Sequence, residues 1–429
     1  MTVNVPPATQ AAARAATQGF IPDNVDPKIL TWSLSVEHQL STNTTVELRY
    51  LGNHAVHLAA QIRLNEFSPL DANTPGGGIA PLPTYLSLAA VPGAVPSPAS
   101  TLLNFDNFTS PLRLDGFKAN VTAHEPWASS VYHGGSVEVT HRIGHGLTLQ
   151  GDYTFAHVDD DATNELFTSY VNPRRAQDGY NLRADWGRSA IDIRHKFAFA
   201  IVYAIPNVNV SSSFARGFLH GWELSTTYLA ESGQPVTALS DADSNGNGDV
   251  AGDRPIVNPN GIGNTGTATD IVCNDGPGGA TRIVPASSVG SAGIPCGVGA
   301  AMFTDANVVG YVVQDPKARY VQAQTGSVST LGRDTVATRG LNLWNMALLK
   351  NISLTERWKL QFRISTFNTF NHPNPSIGLP TNNGTIDSVQ NPNPFTAAYV
   401  FVDSGNLFLN NTVFNGGSRR AELGMKIIF

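Results

Sequence analysis

Residues 358–364, WKLQFRI, alternate strictly between large apolar and polar side chains. Successive side chains of a β-strand point to opposite faces, so this period of two predicts a strand with one apolar and one polar face. Related alternation recurs in LTLQGDYTF at 147–155, FAFAIVYAI at 197–205 and LGMKIIF at 423–429. Only the Ala-rich residues 8–18 suggest a helix. The chain is therefore predicted to be all-β.

The composition excludes several classes of protein. The chain has 429 residues, of which 14% are charged, and its formal net charge is −6. Without an excess of positive charge it offers no basic surface, so we expect no nucleic-acid partner. No run approaches the 18 apolar residues of a transmembrane helix. The sequence has no GxSxG, HExxH or P-loop motif, and we expect no enzymatic activity.

The links between the predicted strands alternate in length. We expect strands at 31–41, 44–58, 131–142, 147–157, 197–205, 221–232, 339–350, 357–369 and 420–429. Every shorter link is followed by a long segment, and the long segments are 59–130, 158–193, 233–338 and 370–419. Outer-membrane barrels combine tight periplasmic turns with long extracellular loops in this way. The pattern predicts an antiparallel transmembrane β-barrel that contacts the lipid of a Gram-negative outer membrane.

The number of predicted strands indicates whether they form a whole barrel or part of one. Nine is odd, whereas single-chain bacterial barrels normally have an even number of strands. An extra hairpin inside 395–415 would give eleven and leave the number odd. We therefore expect a partial barrel of 9–11 strands, in which 1–30 is the tail of an extracellular loop and 31–429 is the C-terminal portion of a larger barrel.

Six stretches together carry a family resemblance. They are TWSLSVEHQL (31–40), VELRYLGNHAVHL (46–58), YHGGSVEVTHRIGHGLTLQGDYTFAHVDDD (132–161), DIRHKF (192–197), HGWELSTTYLAESGQPVT (220–237) and FRISTFNTFNHPN (362–374). In order and spacing they resemble the C-terminal half of a TonB-dependent outer-membrane receptor of the Oar-like type. The final GMKIIF, with Phe429, resembles the terminal signal that the barrel-assembly machinery reads.

This resemblance implies a transport function. Members have a 22-stranded barrel, a plug domain and a TonB box, and they take up an extracellular ligand with energy from the TonB complex. The plug, the TonB box and a signal peptide are not found in this sequence, so the TonB complex would act through a part that precedes it. A truncated gene, a misassigned start and a split receptor all fit. A carbohydrate, a peptide and a metal chelate all remain open as the ligand.

An oxygen-rich run in the longest loop is a candidate Ca²⁺ site. Its side chains at alternate positions are Asp241, Asp243, Asn245, Asn247 and Asp249. Together with Gly246 they match the turn that wraps calcium, although Gly252 stands where a bidentate Glu is expected, and Asp253 could replace it. The alternative is a metal-free surface turn, because Asp, Asn and Gly also favour such turns.

The two cysteines lie in the same loop. Cys273 and Cys296 lack the spacing of a zinc site, and in an oxidising compartment they would form a disulfide that closes the loop. Together with the calcium-like turn, this disulfide also fits an alternative class of protein. That alternative is a secreted or surface-attached soluble β-rich module with a binding or adhesion function. A soluble module would bury the apolar strand faces that a barrel turns toward lipid.

Two charged residues at the start of a strand are assigned a structural role. Asp192 and Arg194 are two positions apart, so they lie on one face and can pair.

Overall fold

The computed structural model of the chain describes the following residues: 7–20, 25–95, 100–144, 146–162, 175–233, 235–240, 242–249, 252–286, 296, 307–337, 340–355, 357–374 and 418–429. Most of the predicted long segment 370–419, including the possible hairpin at 395–415, lies outside these residues. No helix in these ranges is long and apolar enough to cross a membrane.

Nine long strands form one antiparallel sheet, here called the wall. They are β1 Lys28–Ser41, β2 Thr44–Arg63, β3 Thr122–Ile143, β4 Leu147–Asp160, β5 His195–Ala204, β6 Trp222–Glu231, β7 Leu341–Ser353, β8 Lys359–Phe367 and β9 Arg420–Ile428. Each strand pairs with the next along the chain, so the order is β1 to β9. Within the described residues β1 and β9 form the two ends of the sheet. The predicted antiparallel all-β architecture is confirmed, and the sheet of the described residues is open, as expected of part of a barrel.

The lengths of the links between strands distinguish the two ends of the wall. At the short-turn end, residues 42–43, 144–146, 205–221 and 354–358 connect neighbouring strands. At the long-loop end, the connections are 64–121, 161–194, 232–340 and 368–419. The alternation of short and long links is therefore as the sequence predicts.

One face of the wall is a continuous apolar surface. Phe199 lies opposite Tyr228, which lies opposite Trp344 on the next strand. Their rings contact at centroid distances of 5.3 Å and 5.0 Å. Toward the short-turn end, the rings of Trp358 and Phe429 lie 5.3 Å apart. Aromatic side chains thus group near both ends of the apolar face, as they do where a barrel meets two membrane interfaces.

The other face of the wall is polar. Glu37 lies opposite Glu47, Glu47 opposite Glu138, and Glu138 opposite Asp152, so four carboxylates follow one row across β1 to β4. Arg49 forms an ion pair with Glu47 at 2.6 Å. Because like charges in neighbouring positions repel one another in a low-dielectric medium, this row requires contact with water.

The hairpin of β2 and β3 extends further than the sequence predicts. The strands reach Arg63 and begin at Thr122, where a loop is expected. The pairing register shifts between Ala55 and Leu58 and again between Leu58 and Ala60. His57, within this bulged region, has a positive φ of 59°. Beyond the bulge the alternate side chains are buried under the loops instead of lying on the apolar face.

The loops contain short elements. The α-helices are Gln10–Ala16, Leu102–Asp106, Pro111–Leu114 and Ser213–Leu219, and the 3-10 turns are Leu88–Ala90, Leu182–Asp185 and Pro277–Gly279. The short strands are Gly19–Phe20, Thr84–Tyr85, Gly187–Arg188, Pro235–Val236, Ile256–Val257, Ile262–Thr267, Thr269–Cys273, Arg282–Val284, Val308–Val313, Ala318–Val321 and Val336–Ala337. The first helix matches the Ala-rich segment and is capped by Thr9, whose Oγ1 accepts the N–H of Ala12 at 3.1 Å.

Candidate functional site: the loop cap

The described parts of the connections 64–121, 161–194 and 232–340 pack together at the long-loop end, and we call this assembly the loop cap. Its main sheet takes strands from two connections, because Thr84–Tyr85 pairs with Val308–Val313. Cys273 and Cys296 form a disulfide with their Cα atoms 5.7 Å apart. Both cysteines are fully buried in an apolar cluster with Phe105. The cap therefore has an apolar core separate from the wall.

Buried ion pairs connect the longest loop to a second loop of the cap and to the top of the wall. Arg254 Nη1 donates to Asp185 Oδ1 at 2.7 Å, and both side chains are almost fully buried. Arg333 pairs with Asp160, the last residue of β4, and also donates to the backbone carbonyl of Asp185 at 3.2 Å. Removing one partner of such a pair leaves an uncompensated buried charge. These contacts therefore fix the longest loop above the polar face.

A second buried cluster joins the hairpin extension to the calcium-like run. Arg175 binds Asp249 with two nitrogens, and Arg63 lies 3.6 Å from the same carboxylate. Arg63 also donates to Glu66 Oε1 at 2.8 Å. Burial, followed by repulsion from Asp249, raises the pKa of Glu66 to about 7.

Asp192 is held in the structural role that the sequence assigns to it. Its carboxylate pairs with Arg188 and with Arg194, the latter at 3.2 Å, and it accepts the N–H of Val158 at 2.9 Å. Burial alone would raise its pKa, but the hydrogen bond from Arg188, the Val158 N–H and the two guanidinium charges give a lowered pKa. The residue ties the start of β5 to the end of β4.

Asp334 gives the cap a testable pH dependence. Its side chain is fully buried, accepts a hydrogen bond from Thr237 at 3.1 Å, and has a pKa raised by burial to about 7. A carboxyl whose pKa is raised on folding stabilises the fold below its unfolded value of 3.8, and this contribution is lost as pH rises through about 7. We expect Asp334→Asn to reduce the pH slope of the cap's unfolding free energy by up to about 1.4 kcal/mol per pH unit between pH 5 and 7.

The slope is measured by denaturant titrations at several pH values, in which protease resistance of the cap reports how much of it remains folded. The exposed Asp106→Asn in the same cap is the matched control and should leave the slope unchanged. Equal slopes for Asp334→Asn and the unchanged chain would contradict the assignment.

The calcium-like run forms a tight turn. Asp243 accepts the N–H of Asn247 at 2.9 Å and of Gly248 at 2.7 Å. Asn247 N–H also reaches Asn245 Oδ1 at 3.0 Å, and Asn247 Oδ1 accepts the N–H of Asp249 at 2.7 Å. The Asp249 carboxylate faces Arg175 instead of its neighbours in the run. Asp241 lies outside the described residues, and the five-residue calcium site stays a prediction.

A pocket of about 540 Å³ lies at the opposite, short-turn end on the apolar face. Helix Ser213–Leu219 covers it with Phe214 and Phe218. Lys350 Nζ donates to the carbonyls of Phe218 and His220, and lies 5.0 Å from the centre of the Trp222 ring. A cation at the last carbonyls of a helix satisfies acceptors that have no partner within the helix. Lys350 therefore fastens this helix to the wall.

The contacts that build the cap could not be read from local sequence. Asp185 and Arg254 are 69 positions apart, and Asp160 and Arg333 are 173 apart. The available signal was the low overall share of charged residues, which makes each arginine in the long loops a candidate for a buried ion pair. Phe429 lies on the apolar face and is largely exposed, and its role as an assembly signal stays a prediction.

Comparisons with known proteins agree with this architecture. A family sequence model described as "Outer membrane beta barrel domain" matches residues 2–396. Among curated proteins, no sequence matches the chain significantly.

Several solved structures of outer-membrane proteins are similar to the chain. The outer membrane transporter YddB from Escherichia coli is 6% identical, with a TM-score of 0.36, over 85% of this chain and 32% of that one. The FrpB iron transporter from Neisseria meningitidis is 10% identical, with a TM-score of 0.37, over 97% and 34%. The ferric-catecholate import receptor Fiu from E. coli K12 is 11% identical, with a TM-score of 0.24, over 94% and 44%. The chain thus spans less than half the length of each.

The family match covers eight of the nine wall strands and all the described parts of the loop cap. The antiparallel order, the two-faced strands and the alternation of turns and long loops are the features expected of that family. The chain therefore belongs to the outer membrane β-barrel domain family, and its place is the outer membrane of a Gram-negative cell.

Proposed function

We propose that this outer membrane chain forms part of the wall and the ligand-capturing loops of a TonB-dependent receptor of the Oar-like type. The six resembling stretches support the family subtype. The observation that best supports a transport role is the position of the loop cap. Buried ion pairs hold it above the polar face of the wall. An apolar face toward lipid and a polar face toward a lumen suit a barrel through which a ligand passes.

The proposed position of the chain within the receptor is its C-terminal barrel portion, with 31–429 in the wall and loops and 1–30 as the tail of an extracellular loop. One contact supports the second assignment. The N–H of Thr122, at the outer start of β3, donates to the carbonyl of Gln18 at 3.1 Å. The N-terminal segment thus lies beside the loop cap.

The alternative of a soluble β-rich adhesion module is not favoured. In the described residues the apolar face carries large exposed side chains from one end of the wall to the other, among them Leu34 on β1, Tyr153 on β4 and Phe362 on β8. A soluble sandwich would cover such a face with a second sheet. We assign no catalytic role to the chain.

Nutrient uptake tests the proposal. Cells that lack this gene would be grown with a ferric chelate, an oligosaccharide or an oligopeptide as the limiting nutrient, with TonB intact or inactivated. We expect the gene loss to impair growth on one of these three classes, and TonB inactivation to impair growth on the same class. A chain without residues 256–330 should reach the outer membrane and fail to restore growth. Growth that depends on the gene but not on TonB would contradict the energy coupling.

A further inference from the structure

Hydrogen bonds within the turn shift the register of the calcium-like run by two residues. Gly246 and Gly248 both have a positive φ, of 72° and 88°, but Gly248 is the one whose N–H donates to Asp243, at 2.7 Å. In a calcium loop the invariant glycine is at position 6, after oxygen side chains at positions 1, 3 and 5. With Gly248 at position 6, these positions are Asp243, Asn245 and Asn247. Position 7 is Asp249, which contributes its backbone carbonyl in such loops.

This register explains why Asp249 pairs with arginine. Because position 7 uses its carbonyl oxygen, its side chain is free for another partner, and here it binds Arg175. Position 12, where a carboxylate is expected, is Arg254, whose guanidinium binds Asp185. A carboxylate ligand must therefore come from elsewhere, and Asp253 is adjacent.

Asp253 provides an observation that is independent of the turn. Its side chain has zero exposure, and its Oδ2 has no hydrogen-bond partner in the described part of the chain. Its other oxygen accepts a hydrogen bond from Ser244 Oγ at 2.8 Å, which places the carboxylate beside the residue that follows Asp243. A buried carboxylate oxygen without a donor is costly, and a bound cation would remove that cost.

Two further oxygens support the same location. Glu66 Oε2 and Gln177 Oε1 are buried and, within the described ranges, also have no hydrogen-bond partner. The backbone carbonyl of Gln177 accepts the side-chain amide of Asn245 at 2.6 Å, and Glu66 lies next to Gly248. The unpaired acceptors thus gather around one turn.

We propose that Asp243, Asn245, Asn247, the carbonyl of Asp249 and the carboxylate of Asp253 bind one Ca²⁺. Only two of these ligands are charged, which corresponds to the weak affinity of extracellular calcium modules, about 10⁻⁴–10⁻³ M. Mg²⁺ binds poorly here, because it requires near-ideal octahedral geometry and gives up its water reluctantly. All five ligands lie between 243 and 253, so the ion would fix the conformation of this part of the longest loop, beside Glu66.

Calorimetric titration of the purified full chain in detergent micelles with CaCl₂ tests the proposal. We expect one saturable site in the millimolar range or below and no saturation with MgCl₂. Asp253→Asn keeps an acceptor for Ser244 and should weaken calcium binding at least tenfold, as should Asp243→Asn. The control Asp106→Asn should bind as the unchanged chain does.

Thermal unfolding separates a metal ligand from a structural residue. In EGTA, Asp253→Asn should unfold at the same temperature as the unchanged chain or higher, because a buried charge is removed. In 10 mM CaCl₂ the unfolding temperature should rise by several degrees for the unchanged chain and for Asp106→Asn, but not for Asp253→Asn. Absence of saturable binding up to 10 mM, equal binding by Asp253→Asn, or an equal loss of stability in both solutions would overturn the site.

Discussion

Ile201→Arg is expected to destabilise the chain in the outer membrane by about 2–4 kcal/mol, the cost of a cation near the middle of the lipid-facing side of a barrel. Ile201 lies on the apolar face opposite Leu149 and Thr226, between the two groups of aromatic side chains. Arginine there must leave water or distort the bilayer around it.

The adjacent Ala200→Arg is the matched control. Ala200 lies on the polar face opposite Gln150 and Thr227, where a guanidinium stays hydrated. We expect a change below about 1 kcal/mol. The amount of assembled chain in urea-washed outer membranes, and its resistance to denaturant there, would be compared for the two variants. Similar losses for both would mean that the two faces do not differ in their surroundings.

Arg254→Met is expected to destabilise the loop cap by about 3–5 kcal/mol, because it leaves the Asp185 carboxylate buried without its cation. The wall should remain assembled, since the pair lies beyond the strands. Subtilisin digestion of intact outer membranes should therefore cleave 232–340 much faster, while the strands stay protected.

The exposed Arg319→Met in the same loop removes a positive charge without breaking a buried pair, and should change cleavage little. The double variant Asp185→Leu with Arg254→Met should recover part of the loss, because no buried charge remains. A cap that resists subtilisin in Arg254→Met would show that the pair does not hold the loop.

The wall could be predicted from sequence because its signal is local. In a strand between lipid and water, alternate residues face the two environments and are therefore apolar and polar in turn. The predicted strands 147–157 and 420–429 accordingly lie close to their observed bounds. The Ala-rich helix was also recognised, at Gln10–Ala16. Its pattern needs no partner from a distant part of the chain.

The hairpin extension was missed for a physical reason. Pro126 lies where the pairing passes from Leu58–Ala128 to Ala60–Glu125, at one of the register shifts. Proline has no N–H for the sheet and is tolerated at such bulges, but in a sequence it indicates the end of a strand. On the long-loop side of Pro126 the side chains face the loop cap instead of lipid. The alternation that marks a lipid-facing strand is therefore lost there.

The loop cap was beyond prediction because its contacts are long-range. The oxygen-rich turn at 243–249 was visible, but its register and the contribution of Asp253 depend on backbone angles and burial. Asp185–Arg254 joins two different loops, and Asp160–Arg333 joins the longest loop to the end of β4. Residue types alone do not specify which arginine meets which carboxylate.

Accessibility of β5 to lipid-soluble and water-soluble reagents tests the central claim most directly. Spin labels would be placed singly at each residue from 197 to 203 in chains assembled in outer membranes. Labels at 197, 199, 201 and 203 should collide with oxygen dissolved in lipid, and those at 198, 200 and 202 with a water-soluble nickel chelate. Loss of this alternation, or protection of both faces from both reagents, would contradict a wall that separates lipid from a polar lumen.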